Sequence, residues 1–220
     1  MTSNEKRSYL VEKVLSREKK NKYSQDLDKR TLIESGYGDC SGTMWYWYYK
    51  LFNINIGANT EAQINSKKGV LVDLEIKDGI PDITKLKKGD LLYFRGSDSS
   101  RTKGVGHVEM YIGNSKLFGH GSGLGGTIKN LIDYCKMRYS QPSIPQLKNK
   151  GLICVKRFIE DDLSSISELT NINDIVWELA HRKIITNSDL WLSKLGDDEN
   201  AYHLARKCLH FIREYEENKE

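Results

Sequence analysis

The chain has 220 residues, of which 38% are hydrophobic and 29% charged, and 34 Lys+Arg against 30 Asp+Glu leave a net charge of +4. That length allows one full domain with a useful core plus a small appendage. No apolar run approaches the ~18 residues of a membrane span, and four cysteines lack framework spacing, so neither membrane insertion nor a disulfide scaffold is expected.

In chain order, residues 1–22 are polar and charged without an apolar h-region, so the reading assigns no signal peptide and a cytoplasmic origin. Residues 6–17 read as a helix. Gly36-Tyr37-Gly38 reads as a turn, and residues 40–51 read as a second helix with Asp39 as N-cap and Cys40 in its first turn. The run Trp45-Tyr46-Trp47-Tyr48-Tyr49 points in several directions on such a helix. It therefore reads as a helix packed on a sheet, with two or three rings left at the rim of a groove.

Residues 71–76, 90–94, 107–112, a short return strand over 116–119, and 152–159 supply an antiparallel sheet. Residues 119–126 contain five glycines but no Gly-x-x-x-x-Gly-Lys-Ser/Thr pattern, so nucleotide binding is not expected. A glycine-rich rim instead lets an extended peptide approach the backbone. Residues 139–151 carry Pro142 and Pro145 and read as a loop. Beyond 161 the pattern turns helical: Ile166, Leu169, Ile172, Val176 and Leu179 keep helical spacing, as do Leu204, Cys208, Leu209 and Ile212.

Charge divides the chain at the same place. Residues 1–160 hold 27 Lys+Arg and 17 Asp+Glu, a balance of +10, whereas residues 161–220 hold 7 and 13, a balance of −6. The reading is therefore a domain over 1–160 and a helical appendage over 161–220 for docking, targeting or oligomerisation. Sixty residues are marginal alone, so packing on the first domain or on a second copy is expected. A basic catalytic part suits an anionic target. No nucleic-acid recognition motif accompanies the charge, so nucleic acid is not an expected partner.

Chemistry concentrates in Asp39-Cys40-Ser41-Gly42, Gly106-His107-Val108 and Gly119-His120-Gly121. A cysteine nucleophile needs a base for its proton, and the base needs a third group to fix its tautomer. At a helix start, free amide N–H groups and the helix dipole favour a thiolate. His107, Glu109 and Tyr111 alternate with Val108, Met110 and Ile112, placing His107 on one face of a strand. After the Gly113-Asn114 turn the antiparallel partner returns, which is expected to bring His120 beside His107. Glu109 shares the His107 face and reads as an exposed strand carboxylate, or else as the border of a substrate groove. Cys135, Cys154 and Cys208 read as buried small hydrophobes. Ligand pairs at two-to-four-residue spacing are missing, so no metal and no cofactor are expected.

The run Asp-Cys-Ser-Gly, the segment Leu86-Lys87-Lys88-Gly89-Asp90-Leu91-Leu92-Tyr93-Phe94, and Gly106-His107-Val108-Glu109-Met110-Tyr111-Ile112-Gly113 resemble the NlpC/P60 family of papain-like cysteine peptidases. His120-Gly121-Ser122-Gly123 followed by Tyr134-Cys135 resembles its phage and prophage branch. The resemblance implies an α+β papain-like fold with Cys40 as nucleophile, His107 as base and His120 as orienter. It implies that Tyr23 lines the site, and that Asp39 and Ser41 contact a free amine of the substrate. Glu109 stands where the family often has a small residue. The implied activity is a peptidoglycan endopeptidase cutting a stem-peptide amide, between D-glutamate and the diamino acid. Its setting would be an endolysin released through a holin or a tail-associated lysin, with a homo-oligomer through residues 161–220. The other classes are an acyltransferase or amidase of the same fold, and a non-catalytic wall-binding or virion structural protein.

Overall fold

The computed structural model describes residues 1–121, 125–140 and 151–161. The helical pattern beyond 161, Cys208, and most of the 139–151 loop lie outside the described residues.

Helix α1 (Ser3–Leu15) opens on a capping box: Thr2 accepts from the Glu5 amide while the Glu5 carboxylate accepts from the Thr2 amide. Two short segments, β1 (Lys22–Tyr23) and β2 (Tyr37–Gly38), pair in parallel, with Tyr23 beside Gly38. Helix α2 (Cys40–Phe52) follows at once, and α3 (Thr60–Asn65) begins at an Asn59 cap. Where the sequence suggested one strand over 71–76, the chain forms β3 (Val70–Leu71) and then a small hairpin, β4 (Ile76–Lys77) with β5 (Ile80–Pro81). The longer strands are β6 (Leu91–Arg95), β7 (Val105–Gly113), β8 (Lys116–Gly121) and β9 (Gly125–Asn130). Helix α4 (Leu131–Ser140) and strand β10 (Leu152–Arg157) complete the described fold, which is α+β.

Six strands form one antiparallel sheet in the order β3-β10-β6-β7-β8-β9. The central strand β6 explains why the sheet is covered on both sides. Leu91 and Tyr93 enter one core with Leu10, Val14, Met44 and Tyr48 of the first two helices. Leu92 and Phe94 enter the other, with Leu131 and Cys135 of α4. Side chains alternate with period two, so an apolar run reads into both layers. In β7 the same alternation sends Val108 and Met110 to the α2 side and Tyr111 to the α4 side.

The β7–β8 hairpin has a defect that matters for the site. Asn114 and Ser115 both have positive φ, at 51° and 53°, as a tight two-residue hairpin turn requires. Gly113 pairs with Lys116, but the next pair is Tyr111 with Leu117, so Ile112 is an extra residue on β7. This β-bulge shifts all later pairing by one residue. Without it, continued pairing from Gly113 and Lys116 would set His120 across from Glu109. With it, extending the register of Met110 with Phe118 sets Glu109 across from Gly119, in line with the close approach of those two residues, and Val108 across from His120.

Candidate functional site

Helix α2 starts where it does because Asp39 is extended (φ −122°, ψ −177°) and its carboxylate accepts from the Gly42 amide at 2.6 Å. Cys40 is thereby the first helical residue, 6% exposed, with its side chain free of any disulfide. Asp39 and Ser41 are each 3% exposed and both hold Arg30. The Arg30 guanidinium lies 2.7 Å from the Asp39 carboxylate and donates to Ser41 Oγ at 2.9 Å and to the Ala58 carbonyl at 3.1 Å. Burial pushes the Asp39 carboxyl up against the pull of the Gly42 amide and of Arg30. Arg30 was not singled out by the sequence; nothing in its local pattern marks it, because its partners come from the following helix start.

His107 lies on β7, opposite Phe94 of β6, with 16% of its side chain exposed. The charge of the Cys40 side chain acts on its ring. Its Nε2 meets Glu109 Oε1 at 2.6 Å, which leaves Nδ1 as the nitrogen for the thiol. Burial alone would lower the His107 pKa, but the charge of Cys40 and the Glu109 carboxylate more than reverse it, to about 9. The Glu109 carboxylate at one ring nitrogen and the charge of Cys40 both favour the imidazolium form of His107.

Glu109 departs from the exposed carboxylate that the sequence suggested: it is fully buried. Besides His107, the Lys129 ammonium of β9 lies 2.5 Å from Oε1 and sits over the Tyr134 ring of α4, 4.9 Å from its centre. Burial would raise the Glu109 carboxyl, but the hydrogen bond and charge of His107, with Lys129, hold it below its ordinary value. Space for this carboxylate comes from Gly119, where a Cβ would lie 2.1 Å from Oε2. The signal for this role was present in sequence as the two-residue spacing from His107 on one strand. The glycine opposite was a second signal, legible only once the register is known.

Tyr23 is brought to the site by its pairing with Gly38, one residue before Asp39. Burial raises its hydroxyl pKa, with the charges of Cys40 and Asp39 adding to the effect. His120 is 2% exposed, and its ring packs on Tyr23 with centroids 5.8 Å apart. Neither of its ring nitrogens has a hydrogen-bond partner among the described residues. No bond to His107 is formed, and the bulge at Ile112 is the physical reason. It puts His120 on the Val108 face while His107 and Glu109 occupy the other. Burial lowers the His120 pKa, opposite in direction to His107.

Two further thiols, Cys135 and Cys154, lie among the described residues. Burial pushes Cys135 up to about 12 and raises Cys154 as well. Among the described residues no group of three His, Cys, Asp or Glu side chains is arranged to hold a metal ion. No described helix is long and apolar enough to cross a membrane.

Comparison with known proteins places these features in a family. A sequence model of the NlpC/P60 family matches residues 29–144, more than half of the chain. No curated protein matches it. Among solved structures, NlpC2 from Trichomonas vaginalis is 20% identical over 71% of this chain and 47% of its own, with a TM-score of 0.50. A Staphylococcus aureus protein described as similar to lipoprotein, NLP/P60 family, is 18% identical over 72% of this chain and 43% of its own, with a TM-score of 0.47. The peptidoglycan hydrolase RipB from Mycobacterium tuberculosis is 19% identical over 72% of this chain and 67% of its own, with a TM-score of 0.43. The chain spans less than half the length of the first two. With the helix-start Cys40, the strand His107 and this match over residues 29–144, the chain belongs to the NlpC/P60 family.

Proposed function

We propose that this protein is a cysteine endopeptidase that cleaves an amide bond in the stem peptide of bacterial peptidoglycan, between D-glutamate and the diamino acid. The observation that carries the reading is the Cys40 side chain at a helix start, electrostatically coupled to a His107 ring whose Nε2 is already taken by a carboxylate. Such a pair supplies nucleophile and acid together. The Cys40 thiolate attacks the amide carbonyl, and backbone amides at the start of α2 stabilise the oxyanion. The imidazolium of His107 gives its proton to the departing amine, forming a thioester. Water, deprotonated by the now neutral His107, then releases the acid and regenerates the thiol.

Tyr23 and His120, in ring contact beside Gly38, line the approach to Cys40 in this reading. Asp39 and Ser41 would meet a substrate amine only by sharing their contacts with Arg30. The setting proposed is a phage or prophage lysin, delivered to the wall by holin-type release or from a particle. Residues 161–220 serve as the appendage for docking, targeting or self-association.

Digestion of purified peptidoglycan, with products read by mass spectrometry, tests the reading. New D-glutamyl carboxyl ends and free diamino-acid amines are expected from the parent, and neither from Cys40→Ala. Undigested wall, or equal digestion by both proteins, would reject it. Removing residues 161–220 is expected to preserve cleavage of soluble stem peptide and to change the mass seen by light scattering; a folded but inactive truncation would reject the division.

A further inference from the structure

The charged cluster behind His107 is the feature that the family reading leaves unassigned. Glu109 is fully buried, and a buried carboxylate persists as an ion only when paired and hydrogen-bonded. Its Oε1 receives both His107 Nε2, at 2.6 Å, and Lys129 Nζ, at 2.5 Å. Lys129 also donates to the Gly119 carbonyl at 3.4 Å, tying the ammonium to β8. Tyr134 closes the other side: its ring lies 6.3 Å from that of His107 and beneath the Lys129 ammonium. Glu109 Oε2 meanwhile has no hydrogen bond among the described residues, so the carboxylate is committed through Oε1.

A purely structural ion pair between Glu109 and Lys129 would not need the imidazole. Here one oxygen serves both cations, and the imidazole is held at the nitrogen remote from the thiol. That is the arrangement by which a third group fixes the tautomer and orientation of a catalytic base. His120 does not fill this position, since the bulge turns it to the opposite face, where neither ring nitrogen has a hydrogen-bond partner among the described residues.

We propose that Glu109, anchored by Lys129, is the positioning residue of the site: it orients the His107 ring toward Cys40 and compensates the imidazolium charge. The proposal rests on the reading of Cys40 and His107 as a reactive pair. Orientation comes from within the same strand, two residues on, and the role requires glycine at 119 to leave room for the carboxylate.

The test compares Glu109→Gln, which keeps size and hydrogen bonding but not charge, with Lys129→Met in the full-length protein. NMR titration of the His107 ring and the pH profile of Cys40 alkylation by iodoacetamide are read for each folded variant. Glu109→Gln is expected to move the His107 midpoint down by roughly one unit or more and to weaken Cys40 alkylation near neutrality. Lys129→Met keeps the carboxylate, so its His107 midpoint should stay at or above the parent's. On stem peptide, Glu109→Gln should lower kcat by roughly 10- to 100-fold with little change in KM. An unchanged midpoint and profile in folded Glu109→Gln, or an equal fall in both variants, would overturn the proposal and leave a structural ion pair. The titration and alkylation arms need no substrate. A parent that cuts no stem peptide would therefore defeat the proposed function while these two arms still decide the role of Glu109.

Discussion

The two faces of the β7–β8 hairpin carry the same residue type in opposite states. On the α4 side, burial would lower the His107 pKa, but the charge of Cys40 and the Glu109 carboxylate at 2.6 Å lift it to about 9. On the α2 side, His120 packs on Tyr23 with no hydrogen-bond partner for either nitrogen among the described residues, and burial lowers its pKa. Sequence proximity to a glycine does not separate them, since Gly106 precedes one and Gly119 the other. What separates them is whether a charged partner shares the strand face. Histidine is the side chain most easily driven either way by its surroundings.

The contrast breaks most severely if the reactive pair itself is removed. Cys40→Ala and His107→Ala are each expected to lower stem-peptide cleavage by roughly three orders of magnitude or more, and the double variant little further, because members of one catalytic unit are non-additive. A steady-state assay on soluble peptide, with circular dichroism as a check on folding, measures this. His107→Ala within tenfold of the parent would remove His107 from the assignment.

Crowding the charged face comes next. Gly119→Ala sets a methyl group where the Glu109 carboxylate now lies. Either the carboxylate leaves its place beside His107 or the strands move apart. A loss of about 1–3 kcal/mol in denaturant unfolding is expected, as for other overpacked buried sites. Full stability together with an unshifted His107 titration would contradict the close approach.

Opposite pKa directions give opposite pH slopes. The folded pKa of His107 stands above its ordinary 6.5, so its stabilising contribution is complete below about pH 6.5 and is lost as pH rises through about 9. His120 runs the other way. Its folded pKa is below the ordinary 6.5, so the unfolded chain binds that proton more readily and stability falls as pH drops below that value. Thermal melts from pH 5 to 10 should show Glu109→Gln flattening the alkaline limb and His120→Leu flattening the acid limb. Both substitutions acting on the same limb would show that the two faces are not electrostatically distinct.

The smallest effect sharpens the uncharged face. A buried polar group without a partner costs stability, so an apolar residue of similar size is neutral or favourable there. His120→Leu is expected to hold or slightly raise Tm by scanning calorimetry while reducing cleavage less than Glu109→Gln does. A marked fall in Tm would reveal a partner for His120.

Thiol labelling applies the same logic across the protein. Cys135 and Cys154 are pushed up by burial, whereas Cys40 faces an imidazole at a helix start. Iodoacetamide near pH 7, with peptide mapping, is expected to modify Cys40 ahead of both. Equal labelling would remove the distinction.

Much of this was legible in the chain itself. The N-cap at Asp39, the first-turn place of Cys40, and the face of β7 shared by His107 and Glu109 all follow from local rules of capping and period-two alternation. Those rules act over two to four residues and need no fold to apply. Strand β9, helix α3 and helix α4 were not seen, because glycines mask the first and the helices are too short or too polar to show a clear period.

What tertiary structure alone decided is which residues meet. Ile112 bulges out of the β7–β8 register, and a one-residue slip moves every later side chain of the partner strand to the other face. From sequence the hairpin was expected to set His120 beside His107. In the folded chain it sets Gly119 against the Glu109 carboxylate instead, which leaves room beside His107 for Glu109 and, from β9, Lys129. Arg30 reaches Asp39 and Ser41 by the same kind of long-range closure, across a loop with no period to read. Local sequence determined the helix-start place of Cys40 and the strand face of His107; the strand register, fixed by packing on both faces of the sheet, determined what stands behind that imidazole.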